Sequence, residues 1–190
     1  AARAATAATR VSAMAGALTS LVLNLSPNPY AANEIVFWMM GSLADRSMLH
    51  VALALPIMAV GWILLGALGR GFDALTLGED AAKSLGINLG RLRLSLVVGT
   101  SCVVGAATAV AGAIGFVGLV VPHILRPFVG GRPSRLLWAS ALGGAALVLA
   151  ADIAVRLILP TRDLKIGVVM ALIGAPLFLH LIYKTRKELA

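Results

Sequence analysis

Apolar runs of about 18 residues or more recur along this chain, and they restrict its fold more than any other feature. Six segments, at 11–26, 48–69, 94–112, 115–129, 136–159 and 166–183, carry almost no charge. A hydrocarbon core of ~30 Å needs ~20 helical residues at a rise of ~1.5 Å each. Four of the segments meet or approach that length, while 11–26 is slightly short and 115–129 clearly so. Apolar and polar residues do not alternate strictly, which argues against an outer-membrane barrel. Hydrophobic residues make up 59% of the chain and charged ones 13%, with a mean hydropathy of +0.94; soluble domains carry about 25% charged residues. The expected class is all-α: one membrane domain built as a polytopic bundle of transmembrane helices.

A net charge of +8 would suggest nucleic acid in a soluble protein. In a membrane bundle it points instead to loops facing the cytoplasm and anionic lipid, so no nucleic-acid partner is expected. Counting only Lys and Arg, six crossings put twelve basic residues on one side and four on the other. The basic side holds Arg3 and Arg10, then Arg70, Lys83, Arg91 and Arg93, then Arg126, Arg132 and Arg135, and finally Lys184, Arg186 and Lys187. The other side holds Arg46, Arg156, Arg162 and Lys165. Without a crossing at 115–129 the split would be nine against seven. The sharper asymmetry favours six crossings, with both ends in the cytoplasm. The short fourth segment must then be tilted, kinked at Pro122 or shielded by protein.

Region 27–47 falls on the outer side. It opens with turn signals, and Tyr30, Phe37 and Trp38 suit a periplasmic interfacial helix. Glycines are dense in the apolar segments, where small residues let helix backbones approach closely. The opening AARAATAATR has neither an initiator methionine nor a signal-peptide pattern. It reads as the tail of something upstream, so a fragment or truncated chain is expected.

Between two apolar runs lies a charged, glycine-punctuated stretch, LTLGEDAAKSLGINLGRLR at 75–93. Thr76-Leu77-Gly78-Glu79 matches a capping box, with Thr76 at N-cap and Glu79 at N3. A short helix would run through Ala81, Ala82 and Lys83 to Gly86, placed where a left-handed C′ glycine belongs. Asn88 can cap a second short element leading to Arg91 and Arg93. Helices this short do not hold alone in water. The stretch is either an ordinary solvated loop or a docking surface for a cytoplasmic partner. It is not a nucleotide site, because a P-loop needs G-x-x-x-x-G-K-[ST] and Ala82 stands where glycine is required before Lys83-Ser84. Any ATP that drives this protein is hydrolysed by another chain.

Other chemistry is sparse. Cys102 is the only cysteine, which allows no intrachain disulfide and no thiol metal site. His50, His123 and His180 show no metal-ligand spacing, and no Ser-His-Asp arrangement or nucleophile–base pair suggests an intramembrane enzyme. No span carries an acidic residue at its middle, which argues against an ion-coupled secondary transporter. A non-transport membrane scaffold would leave the capped island without a purpose.

Five stretches then converge: W-M-M-G-S-L at 38–43, L-T-L-G-E-D-A-A-K-S-L-G at 75–86, A-G-A-I-G-F-V-G-L-V-V-P-H-I-L-R at 111–126, A-D-I-A-V-R at 151–156 and I-G-V-V-M-A-L-I-G-A-P at 166–176. From about residue 11 onward the sequence resembles the FecCD-like membrane permease subunits of type II ABC importers. That family takes up iron–siderophore complexes, haem and vitamin B12. The six segments correspond to the C-terminal portion of such a permease.

The resemblance implies a bacterial inner-membrane protein that works as a homodimer with cytoplasmic ATPase subunits and a periplasmic substrate-binding protein. It implies a metal-chelate substrate, no cofactor or metal bound directly, and ATP used by the partner ATPase. The island becomes the coupling region, with Leu77, Gly78, Glu79, Asp80, Lys83, Ser84, Leu85 and Gly86 at or shaping the ATPase contact. Segments 11–26 and 166–183 would line the pathway, with Trp38, Met39, Gly41, Ser42, Gly174, Ala175 and Pro176 at the path or gate. Arg156, and more weakly Arg46, would meet the binding protein, although Arg156 also lies i,i+4 from Asp152. Gly115, Gly118, Pro122, His123 and Arg126 would form a structural motif. One departure stands out: relatives commonly have proline before I-G at the last span, and this chain has Lys165, which leaves out a preset helix start.

Overall fold

A computed structural model describes residues 2–25, 28–158 and 164–188. Ser26, Leu159 and Arg162, which belong to the expected spans and charge count, lie outside the described residues. The elements are α1 (Ala2–Leu25), α2 (Pro29–Met39), α3 (Met48–Ala67), α4 (Gly69–Leu75), α5 (Glu79–Ser84), α6 (Leu89–Ala111), α7 (Val117–Leu125), a 3-10 turn (Arg126–Val129), α8 (Pro133–Ile158) and α9 (Ile166–Glu188). The fold is all-α, with no strand among the described residues.

The chain divides into two units, Ala1–Met39 and Met40–Ala190. The first contains α1 and α2. Pro29 opens α2 with its φ already helical, and the Asn28 side chain accepts the Tyr30 N–H at 3.0 Å, which caps the helix start.

In the second unit α3 pairs with α6; α7, α8 and α9 pack on one another, and α4 packs on α8. Among the described residues three helices are long and apolar enough to cross a membrane: α3, α6 and α8. Only 11%, 11% and 6% of their apolar windows are buried, so these helices turn most of their apolar surface outward. Soluble amphipathic helices do the reverse. The α3–α6 pair closes at two glycines. A Cβ on Gly61 would lie 2.7 Å from the Gly99 carbonyl oxygen, and one on Gly99 would lie 2.9 Å from Leu65 Cγ. Dispersion at such close backbone approaches, rather than the hydrophobic effect, holds apolar helices together in lipid.

The short fourth segment is a broken element. α7 has 9 residues and its 3-10 extension 4, a rise of about 20 Å against a core of ~30 Å. The backbone entering it is unusual: Gly112 has φ +74 and Phe116 has φ +67, the latter a left-handed conformation that bulky residues seldom adopt. Around the far end of this unit three stretches meet backbone to backbone. The Ser42 N–H donates to the Ala111 carbonyl at 2.7 Å, and the Gly167 N–H donates to the Gly41 carbonyl at 3.4 Å. Beside them Ala151, Ile166 and Met170 form a buried cluster, flanked by Leu43, Ile114, Val117 and Leu147.

Two local expectations need correction. The element capped by Asn88 is not short. Asn88 Oδ1 accepts the Arg91 N–H at 3.0 Å and starts α6, which runs 23 residues to Ala111 and so carries the island directly into a long apolar helix. The capping box at Thr76 is absent, because Gly69–Leu75 is already helical and Thr76 ends α4 instead of starting α5. Its hydroxyl turns back to donate to the Asp73 carbonyl at 2.7 Å.

Candidate coupling surface

α5 has only six residues, so its neighbours must hold it. Gly78 stands at its N-cap with φ +102, a conformation open to glycine and strained for other residues. At the other end the Gly86 N–H donates to the Lys83 carbonyl at 2.9 Å and the Ile87 N–H to the Ala82 carbonyl at 3.0 Å. With Gly86 at φ +81, this is a complete Schellman closure. Ala82 is fully buried and anchors the helix from below.

Ala81 is half-buried, and the polar side chains of the element, Glu79, Asp80, Lys83 and Ser84, are exposed. Glu79 and Asp80 occupy the first turn and Lys83 the last, the arrangement that the helix dipole favours. Lys83 pairs with Asp80 at 3.1 Å, and Arg93 of α6 pairs with Glu79 at 2.9 Å. All four of these side chains are more than half exposed, so the two pairs orient the helix more than they stabilise it. Ser84 Oγ donates back to the Asp80 carbonyl at 3.0 Å. Leu77 and Leu85 flank the helix and are 68% and 63% exposed. Next to α5, Arg70, Gly71, Gly86, Asn88 and Arg91 line an open crevice of about 270 Å³. No group of three or more His, Cys, Asp or Glu among the described residues is placed to hold a metal ion.

A contact absent from the sequence reading links this surface to the bundle. Asp73, on α4, accepts the Ser134 backbone N–H at 2.9 Å through Oδ1 and the Ser134 hydroxyl at 2.7 Å through Oδ2. These bonds, the hydroxyl first, hold the Asp73 carboxyl below its ordinary value. Partial burial opposes them, and the charges of Arg132 and Arg135 add to them. The two residues lie 61 positions apart, and no local pattern relates them.

The other expected site residues are dispersed. Arg156 Nε donates to Asp152 Oδ2 at 2.9 Å near the end of α8, with Arg156 60% exposed. Arg46 is exposed and forms no ion pair among the described residues. Trp38 and Met39 are exposed at the end of α2, in the first unit. Gly41 and Ser42 belong to the backbone junction with Ala111 and Gly167. Gly174 is buried on α9, where a Cβ would overlap the Phe116 side chain; Ala175 is half-buried and Pro176 exposed beyond it. Of the expected structural motif, Gly115 and Gly118 face open space, and His123 and Arg126 are exposed. Pro122 lies inside α7, between the buried Val121 and the exposed His123. His50 gains a local role, since its Nδ1 accepts the Ser47 N–H at 3.2 Å at the start of α3.

A model of the FecCD transport family matches residues 5–184. The chain is 41% identical over 152 residues to the vitamin B12 import system permease protein of Vibrio cholerae, covering 80% of this chain and 45% of that one. It is 38% identical over 158 residues to the Fe(3+) dicitrate transport system permease protein of Escherichia coli, covering 83% and 50%. The chain thus spans about half the length of the curated relatives it matches. A solved structure described as an inward-facing conformation of a metal-chelate type ABC transporter superposes with a TM-score of 0.80 at 33% identity, over 93% of this chain and 57% of that chain.

Proposed function

Since the chain belongs to the FecCD transport family, we propose that it forms the permease part of an ATP-binding-cassette importer in a bacterial inner membrane. It works beside a second copy, with ATPase subunits on the cytoplasmic side and a binding protein on the periplasmic side. The cargo is a metal chelate: a ferric siderophore, haem or cobalamin. Relatives of nearly equal identity bear names for vitamin B12 and for ferric dicitrate, both metal chelates.

The build of α5 carries this reading. A six-residue helix is closed by a left-handed glycine, anchored by a fully buried Ala82, and flanked by two exposed leucines in a charged stretch between apolar runs. Anchoring without concealment suits an element that takes a push from another protein. The permease supplies a path and no chemistry on its cargo. Nucleotide and binding protein each move it only as far as their affinities for its two conformers differ.

The test is made on the whole transporter. The ATPase subunits should co-purify with the wild-type permease. Gly86→Val should leave insertion and ATP hydrolysis in place and lower the uptake of ferric dicitrate or cyanocobalamin per ATP hydrolysed. Unchanged uptake per ATP in that variant would remove α5 from the coupling path.

A further inference from the structure

We propose that Asp73 is a positioning residue for energy coupling: it pins α4 to the first turn of α8, so that a displacement of α5 moves the α7–α8–α9 group. This inference rests on the reading of α5 as the contact for the ATPase.

The path can be followed bond by bond. α5 packs on α4, and α4 packs on α8. Between α4 and α5 the Thr76, Leu77 and Gly78 N–H groups donate to the carbonyls of Asp73, Ala74 and Leu75 at 3.2, 3.1 and 3.1 Å, and the Ala82 N–H donates to the Gly78 carbonyl at 3.0 Å. The connection is therefore a closed succession of turns without slack. Its far side ends at Ser134, the second residue of α8.

The first N–H groups of a helix have no partner within it, and a side-chain acceptor at the N-cap ordinarily serves them. In α8 the N-cap position falls to Arg132, whose carbonyl accepts the Leu136 N–H at 3.0 Å and whose side chain has no acceptor. Asp73 supplies the missing acceptor from a different helix, with both carboxylate oxygens engaged. Its negative charge at a helix N-terminus is favoured by the dipole as well. Close approaches flank the joint: a Cβ on Gly69 would lie 3.3 Å from Ser134 Cβ, and one on Gly66 would lie 3.0 Å from the Trp138 ring.

What the joint moves is a lever. α8 has 26 residues and no internal proline, which makes it about 39 Å long. α3 and α6, by contrast, pack chiefly on each other. A push on α5 that reaches α8 through Asp73 shifts one helix group against the other, and the Asp152–Arg156 end of α8 moves with it.

The experiment reads that relative motion directly. In the complete transporter, with Cys102→Ala, spin labels are placed at Met48→Cys on α3 and Leu157→Cys on α8, both strongly exposed. The distance between them is measured without nucleotide and after ATP hydrolysis in the presence of vanadate, which traps the ADP formed. The wild type should show a nucleotide-dependent change. Asp73→Ala should lose it while keeping the nucleotide-free distance and the ATP hydrolysis rate, and Asp73→Asn, which still offers an acceptor to the Ser134 N–H, should restore it. A mere stabilising cap would shift the nucleotide-free distance instead. Should Asp73→Ala fail to assemble, Ser134→Ala decides, because it removes one of the two bonds and should diminish the response. A full response in Asp73→Ala, or in Ser134→Ala where that variant decides, overturns the proposal. If Gly86→Val abolishes the response while Asp73→Ala keeps it, the pin falls and the role of α5 stands. If both variants keep it, or the wild type shows none, the role of α5 falls too.

Discussion

Gly86 bears the sharpest conformational demand on the coupling surface. A Cβ there would meet nothing within 4 Å, so the constraint is its φ of +81 and not space. An L-residue held left-handed costs about 1–2 kcal/mol, and asparagine tolerates it best. Gly86→Asn should therefore keep most of the coupling that Gly86→Val loses, a contrast that bulk alone would not produce. Asp73 makes a second demand, on pH. Its carboxyl is held below the ordinary value by the Ser134 hydroxyl and N–H. A lowered folded value means that the bond's stabilisation is complete above the unfolded value, near pH 4, and is lost as pH falls through the folded one. The difference in melting temperature between wild type and Asp73→Ala should stay constant from about pH 8 to pH 5 and shrink below about pH 4. A difference that vanished between pH 6 and 5 would contradict the assignment. At this scale the sequence was only partly legible. The C′ place of Gly86 could be read from spacing, because a Schellman closure is local. The Asp73–Ser134 bond could not, because its partners are brought together only by the packing of α4 on α8. Phe116 was equally hidden, since glycines on either side of a position predict left-handed backbone at the glycines and not at the aromatic residue between.

At the level of elements, the α3–α6 crossing sets how close two apolar helices can come. Gly61→Val would drive new atoms into Val103 and the Gly99 carbonyl, with the Cβ already 2.6 and 2.7 Å from them. Overpacking of that kind costs about 1–3 kcal/mol and should lower the melting temperature of the purified permease. Gly105→Ala, on the partner helix α6 but facing open space, should leave it unchanged. Equal effects of the two substitutions would mean that the glycines act through helix propensity and not through the crossing. The long helices were legible because apolar length is a one-dimensional signal: α3, α6 and α8 lie close to where composition puts them. α4 was not legible. Its start merges with the preceding apolar run, and Thr76 and Glu79 mimic a helix start that the turn from α4 has already used. The short fourth segment was recognisable as short, although its resolution into α7 and a 3-10 turn was not.

For the whole molecule, the two ends of α8 are where the proposed actions of two partners arrive, one by way of α5 and Asp73 and the other at Arg156. Arg156 is paired with Asp152 yet keeps 60% of its side chain exposed, so it can serve its helix neighbour and still meet an acidic partner surface. Arg156→Glu places two carboxylates side by side and should weaken binding of the periplasmic protein, most strongly at low salt where screening is least; an unaltered affinity there would take Arg156 out of the docking surface. The central claim is that residues 75–93 are presented to the cytoplasm, where an ATPase can grip them. The most direct measurement is labelling of Ser84→Cys, in a Cys102→Ala background, by a membrane-impermeant maleimide. The account predicts labelling in inverted membrane vesicles and none in intact cells made permeable only at the outer membrane. Labelling in those intact cells would contradict it.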